Sequence, residues 1–184
     1  MIDYILDSTL VPTFSKNKPQ QLIVLCHGYG GDGKDISSLA INWQRFLPNA
    51  IFLCPNAPEV CTINPHGFQW FDLSSEKEEI ILEKSLIAEA KLSMFLDQVL
   101  DNHQLEPINL ALVGFSQGCM ISAQVGLKKK KQINCILGYS GKIINQKHLS
   151  ENVNSKPKIF LMHGANDTIV SPTCLLEAKE YLTN

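Results

Sequence analysis

Five short apolar runs punctuate this chain of 184 residues: Leu22–Cys26, Ile51–Cys54, Ile108–Val113, Cys135–Tyr139 and Lys158–Met162. They are dense in Val, Ile and Leu and lack the strict alternation of a one-sided sheet. That pattern predicts strands buried on both faces. Between the runs, apolar residues recur at intervals of three and four. One such set is Ile36, Leu39, Ala40, Trp43, Phe46 and Leu47. A second is Leu92, Phe95, Leu96, Val99 and Leu100, within a longer helix that begins near Lys77. Met120, Ala123 and Leu127 form a third, and Leu175, Ala178 and Leu182 a last one, with Ser171 as N-cap and Pro172 at the first helical position. Each set predicts a helix with one apolar stripe. Strand–helix alternation of this kind implies an α/β fold with an open, mostly parallel sheet and helices on both faces. The length suits a single domain over residues 1–184. In such sheets the functional groups stand at the carboxyl ends of the strands. Met1–Phe14 predicts one or two weaker strands, and the proline-bearing stretch Pro55–Asp72 a long surface loop.

Composition narrows the partners. A formal net charge of −2 gives no global field for nucleic acid. The run Lys128–Lys131 reads as a solvated helix end whose cations complement the dipole. No apolar run is long enough for stable membrane insertion, and the two acids in Met1–Asp7 argue against a secretory signal. Six cysteines, none in a Cys-x-x-Cys pair, suit a reduced, cytoplasmic setting. No cluster has metal-ligand spacing.

The chemistry lies at the strand ends. Ile108–Val113 runs into Gly114-Phe115-Ser116-Gln117-Gly118. Strand, Gly-x-Ser-x-Gly and helix is the arrangement that presents a serine hydroxyl as a nucleophile, with glycines relieving a crowded turn. Ser116 is therefore the candidate nucleophile, and Phe115 is placed near the same site. Leu22–Cys26 ends in His27-Gly28-Tyr29-Gly30-Gly31-Asp32-Gly33. A glycine-rich loop there is suited to donate a backbone N–H to an oxyanion, with Tyr29 and Gln117 as the two donors. Its spacing fits neither phosphate-binding glycine fingerprint. His27, at the strand end, is read as holding the loop. Lys158–Met162 leads to His163-Gly164-Ala165-Asn166-Asp167, which makes Asp167 the candidate acid. The base is expected after one more strand. All five histidines, His27, His66, His103, His148 and His163, precede Asp167.

In LCHGYGGDG (25–33), CPNAP (54–58), Trp70-Phe71-Asp72, GFSQG (114–118), Ser140-Gly141 and HGANDTIV (163–170), the chain resembles the phospholipase/carboxylesterase family of α/β-hydrolases, which includes the acyl-protein thioesterases. The resemblance implies an α/β-hydrolase fold that stops short of the family's last strand and helix. It implies Ser116 as nucleophile, Asp167 as triad acid, Tyr29 and Gln117 as oxyanion donors, and Trp70 in the loop lining an acyl pocket. It further implies hydrolysis of carboxylic esters or thioesters through an acyl-enzyme, without metal or cofactor. In that family the base follows the equivalent of Leu182, in a Gly-x-x-His-like loop. Three readings follow. The chain is an ester or thioester hydrolase; or a remnant that keeps an acyl pocket without turnover; or an enzyme like the dienelactone hydrolases, whose elbow prefers cysteine where this chain has Ser116. Lys158–Met162 would become an unpaired apolar edge, which predicts dimerisation through that strand.

Overall fold

The computed structural model describes residues 4–74 and 77–183. Met1 to Asp3, at the start of the expected opening strand segment, lie outside them. The central sheet has six strands in the order β1 (Ser8–Val11), β3 (Ala50–Pro55), β2 (Gln21–Cys26), β6 (Leu110–Phe115), β7 (Cys135–Tyr139) and β8 (Lys158–Met162). All neighbours are parallel except β1, which pairs antiparallel with β3. The opening segment thus supplies one strand.

Period-two alternation sets the two layers. Leu22, Val24 and Cys26 of β2 face one side, with Leu53, Leu112 and Ile136. There they meet α2 (Glu78–His103) and α3 (Gln117–Lys128) through Leu92, Phe95, Leu96, Met120 and Ile121. Ile23 and Leu25 face the other side, with Phe52 and Val113, under α1 (Gly33–Trp43). A third cluster joins α3 to α4 (Gln146–Ser150) and α5 (Thr173–Thr183), through Leu127, Leu149 and Ala178. Because β2, β3 and β6 are lined on both faces, their sequences read as runs.

The edges depart from that pattern. β8 ends the sheet, and along it only Ile159 and Leu161 are partly buried, while Phe160 is 56 % and Met162 48 % exposed. The helix expected around Ile36–Leu47 stops at Trp43. Phe46, read as part of its core stripe, is exposed beneath the Arg45 guanidinium, 4.8 Å from its ring centroid. The apolar 3.6 period continued by chance through a turn. The stretch Pro55–Asp72 is not all loop. It folds into an antiparallel ladder of β4 (Glu59–Val60) with β5 (Phe68–Gln69). Two-residue strands are too short for periodicity to reveal. Within the basic run, Lys128 pairs with Glu89 and Lys129 with Asp97 at 2.6 Å each, which offsets part of its positive field. No helix among the described residues is long and apolar enough to cross a membrane.

Candidate active site

Ser116 stands between β6 and α3 with φ 52° and ψ −115°. A non-glycine residue there stores on the order of 1–3 kcal/mol of strain and persists only where its surroundings dictate it. They do so here. Ser116 N donates to Tyr139 O at 2.8 Å, and Ser116 O accepts from Cys119 N and Met120 N at 3.0 and 3.2 Å. The hydroxyl makes no capping bond to the helix. A Cβ on Gly114 would sit 2.3 Å from Gly118 O, and one on Gly118 would sit 2.0 Å from Cys26 O. The flanking glycines thus let α3 begin directly against the end of β2.

The loop after β2 is organised by His27. Its Nδ1–H donates to Gly28 O at 2.7 Å, and its Nε2 accepts from Ala57 N at 3.0 Å. Both ring nitrogens are occupied, so His27 is not free to take a proton from Ser116. A trans peptide is planar, with C=O and N–H pointing opposite ways. Gly28 O is held by His27 and by Gly31 N at 3.1 Å. The other end of the same plane, the Tyr29 N–H, is thereby turned away from them. Neither Tyr29 N nor Gln117 N has a hydrogen-bond partner among the described residues, and both residues line the cavity that contains Ser116.

The Gln117 side chain is buried. Its Oε1 accepts from Trp70 N at 2.9 Å and its Nε2 donates to Phe71 O at 2.6 Å. Trp70 was expected in the acyl pocket. It is buried with its indole N–H donating to His27 O at 2.9 Å, and Phe71, equally buried, is the one of the two that borders the cavity. An indole needs an acceptor when buried, and the strand-end carbonyl supplies one. Phe115 is half exposed and borders both this cavity and a second one beside α1.

Burial holds the His27 pKa below its usual value. The unfolded imidazole takes up its proton near pH 6.5, while the folded ring resists until lower pH. This contribution to stability is therefore complete above about pH 7 and is lost as pH falls through 6.5 toward the depressed folded value. His103 shifts in the same direction, also through burial. We expect the urea midpoint to fall between pH 7.5 and 5.5, with a flatter profile in His27→Asn. Identical slopes in the two chains would contradict the assignment.

Asp167 follows β8. Its Oδ1 accepts from Ile169 N at 2.9 Å and Val170 N at 3.0 Å, and its Oδ2 lies 3.5 Å from His163 Nε2. His163 Nε2 itself donates to Val170 O at 2.8 Å, which closes the loop on itself. The Val170 and Ile169 amides, ahead of the Ser140 hydroxyl and His163, hold the Asp167 carboxyl below the usual carboxylate range. It is ionised at neutral pH.

Ser116, Asp167, Tyr29, Gln117 and Phe115 share a cavity of about 870 Å³. The apolar walls come from Phe71, Leu73, Ile81, Met120, Ile144, Ile169 and Val170, and Ser140, Lys142 and Cys174 also border it. Phe71, Met120, Ile169 and Val170 fall in stretches quoted above, but none of the seven reads from the sequence as a cavity wall, because they sit on five separate segments. No described histidine lines this cavity. His66 is exposed in the turn between β4 and β5, and His103 has a buried Nε2 at the end of α2 with no hydrogen-bond partner among the described residues.

A model of the family described as Phospholipase/Carboxylesterase matches residues 11–184. Acyl-protein thioesterase 1 of Aspergillus fumigatus is 27% identical over 180 residues, 88% of this chain and 72% of that protein. The Schizosaccharomyces pombe protein of the same name is 28% identical over 180 residues, 88% of this chain and 75% of its own. Among solved structures, the esterase PE8 is 34% identical with a TM-score of 0.92, over 97% of this chain and 83% of that one. Acyl-protein thioesterase 2 of Zea mays, at 22% identity and a TM-score of 0.73, covers 96% of this chain and 84% of its own and shares the fold.

Proposed function

Because this chain belongs to the phospholipase/carboxylesterase family, we propose that it is built to cleave carboxylic esters or thioesters, with Ser116 as nucleophile and Asp167 as the acid of the catalytic group. One observation carries the proposal. A strained serine shares an apolar cavity with a fixed carboxylate and two residues whose amides have no other partner among the described residues. The chemistry follows from that arrangement. Ser116 Oγ bonds to the acyl carbon, and the carbonyl oxygen becomes an oxyanion facing the Tyr29 and Gln117 N–H groups at the start of α3. The alkoxide or thiolate leaves with a proton, and water then releases the acid from the acyl-enzyme. Phe71, Leu73, Ile81 and Met120 would receive the acyl chain. The base that takes the Ser116 Oγ proton and hands it to the leaving group would be an imidazole beside Asp167, a place that no described histidine fills. Without it, oxyanion donors and binding alone sustain roughly 10³- to 10⁴-fold acceleration over water.

A second reading, an acyl-binding remnant, is favoured by the absence of a histidine from the cavity lining among the described residues. A fluorophosphonate probe with p-nitrophenyl esters of increasing chain length separates the two. Labelling at Ser116 with ester turnover supports the hydrolase. Binding of the acyl chain with neither labelling nor turnover leaves the remnant.

We place the protein in a reducing, cytoplasmic compartment. All six cysteines are free, and burial pushes the thiols of Cys26, Cys54 and Cys119 up to about 12. We also infer self-association through β8, whose outer edge has no strand partner among the described residues and exposes Phe160. Sedimentation should show a dimer that Phe160→Lys dissociates. A parent chain that stays monomeric at all concentrations would end that idea.

A further inference from the structure

The peptide carrying the Tyr29 N–H is fixed at one end by His27, but the chain of contacts does not stop there. Gly31 N, which also donates to Gly28 O, belongs to the peptide whose carbonyl is Gly30 O. Gly30 O accepts from Asn64 Nδ2 at 2.8 Å. The intervening peptide is held as well, because Gly30 N donates to Phe68 O at 2.9 Å. Three successive planes, 28–29, 29–30 and 30–31, are thus each anchored, and two of the anchors come from the β4–β5 hairpin, Asn64 from its turn and Phe68 from β5. Peptide planarity converts the anchors into directions. Pulling Gly30 O toward Asn64 turns Gly31 N toward Gly28 O, and that in turn aims Tyr29 N–H.

Asn64 is itself braced. Its Oδ1 accepts from His66 N at 3.2 Å and its backbone O from Gly67 N at 3.0 Å. Gly30 has φ +76°, a left-handed conformation that leaves its carbonyl free to turn toward the hairpin. A Cβ on Gly67 would lie 2.0 Å from Gly30 O, so this carbonyl is enclosed from two sides. Thr62 adds a contact on the donor residue itself, its Oγ1 lying 2.6 Å from Tyr29 Oη.

We propose that Asn64 is a positioning residue that sets the oxyanion donor at Tyr29 through the Gly30–Gly31 peptide. The proposal rests on Ser116 being the nucleophile. Asn64 touches no substrate; it acts through two peptide planes, and its loss leaves the apolar walls in place. The oxyanion, and not the acyl chain, is what such a loss affects.

1-Octaneboronic acid and 1-octanol test this on the intact chain. The boronate forms a Ser116 Oγ–B bond; the hydroxyl proton passes to water, and boron becomes a tetrahedral anion whose oxygen faces the two amides. Octanol occupies the same apolar cavity without charge or covalent bond. In Asn64→Ala and Asn64→Asp, boronate affinity should fall by about tenfold while octanol affinity stays within about twofold, a loss of the size of one hydrogen bond. Asp is isosteric and still accepts from His66 N but offers Gly30 O no donor, so it separates the missing bond from a cavity left by Ala. Gly67→Ala, which displaces the same carbonyl with Asn64 intact, should reproduce the split. Thermal unfolding of each variant verifies that it is folded. Unchanged boronate binding in both Asn64 variants, or equal loss of both ligands, overturns the proposal. A parent chain that binds octanol but no boronate removes the nucleophile reading beneath it, and one that binds neither removes the acyl cavity.

Discussion

Ser116→Ala should abolish fluorophosphonate labelling: the second-order rate is expected to fall at least about 1000-fold, to background, because the hydroxyl that would bond to phosphorus is removed. The same change should leave thermal stability nearly untouched. The hydroxyl makes no capping bond to α3, and alanine occupies φ 52° at much the same cost as serine. Labelling and folding are therefore read independently. Ser171→Ala, a neighbour on the same cavity whose hydroxyl meets Thr173 Oγ1 at 2.9 Å and accepts from Thr173 N at 3.4 Å, should still label. An adduct that persists in Ser116→Ala would place the reactive group elsewhere and remove the acyl-enzyme from the scheme.

The largest loss of stability is expected at a glycine that does no chemistry. In Gly118→Ala the new Cβ meets Cys26 O at 2.0 Å and His27 O at 2.6 Å. Both are backbone atoms of the strand end, which cannot swing aside. Either α3 retreats or β2 is displaced, and each move breaks the buried layer of Leu22, Val24, Met120 and Ile121. Destabilisation should exceed about 4 kcal/mol, at the limit of what single substitutions do. Against a typical 5–15 kcal/mol, that yields an insoluble chain or a Tm lower by roughly 10 °C. Gly164→Ala is the contrast: its Cβ has only Asp167 Cβ at 3.9 Å, so it should stay within about 1 kcal/mol of the parent. A Gly118→Ala chain as stable as Gly164→Ala would mean that the helix is not pressed against the strand as described.

How legible all this is in the sequence depends on how local its cause is. β2, β3 and β6 are readable because both faces are lined, which forces apolar residues at nearly every step. Ser116 and the loop after His27 are readable because a sharp turn and a close approach admit only glycine at particular steps. The β4–β5 ladder is not, because its strands are two residues long and its glycine, Gly67, answers to Gly30 from another segment. Trp70 shows the same limit. Composition marks it as a large apolar residue beside the site, but only the position of His27 O decides that its ring turns inward while Phe71 faces the cavity. The cavity walls are gathered from the ends of several elements, and nothing in the linear order of Phe71, Met120 and Val170 announces that they meet.

The sheet also grades in firmness from one side to the other. β3 and β2 are clamped between two layers, whereas β8 has, among the described residues, a neighbour along one edge only and solvent over Phe160 and Met162. Local opening is cheapest where fewest buried contacts must be broken, so thermal fluctuation starts at β8 and reaches the middle strands last. Ser116 follows a middle strand and Asp167 follows the loosest one. Warming or mild denaturant is therefore expected to carry Asp167 away from Ser116 before the fold is lost, and the proposed site should fail over a narrower range than the protein that carries it.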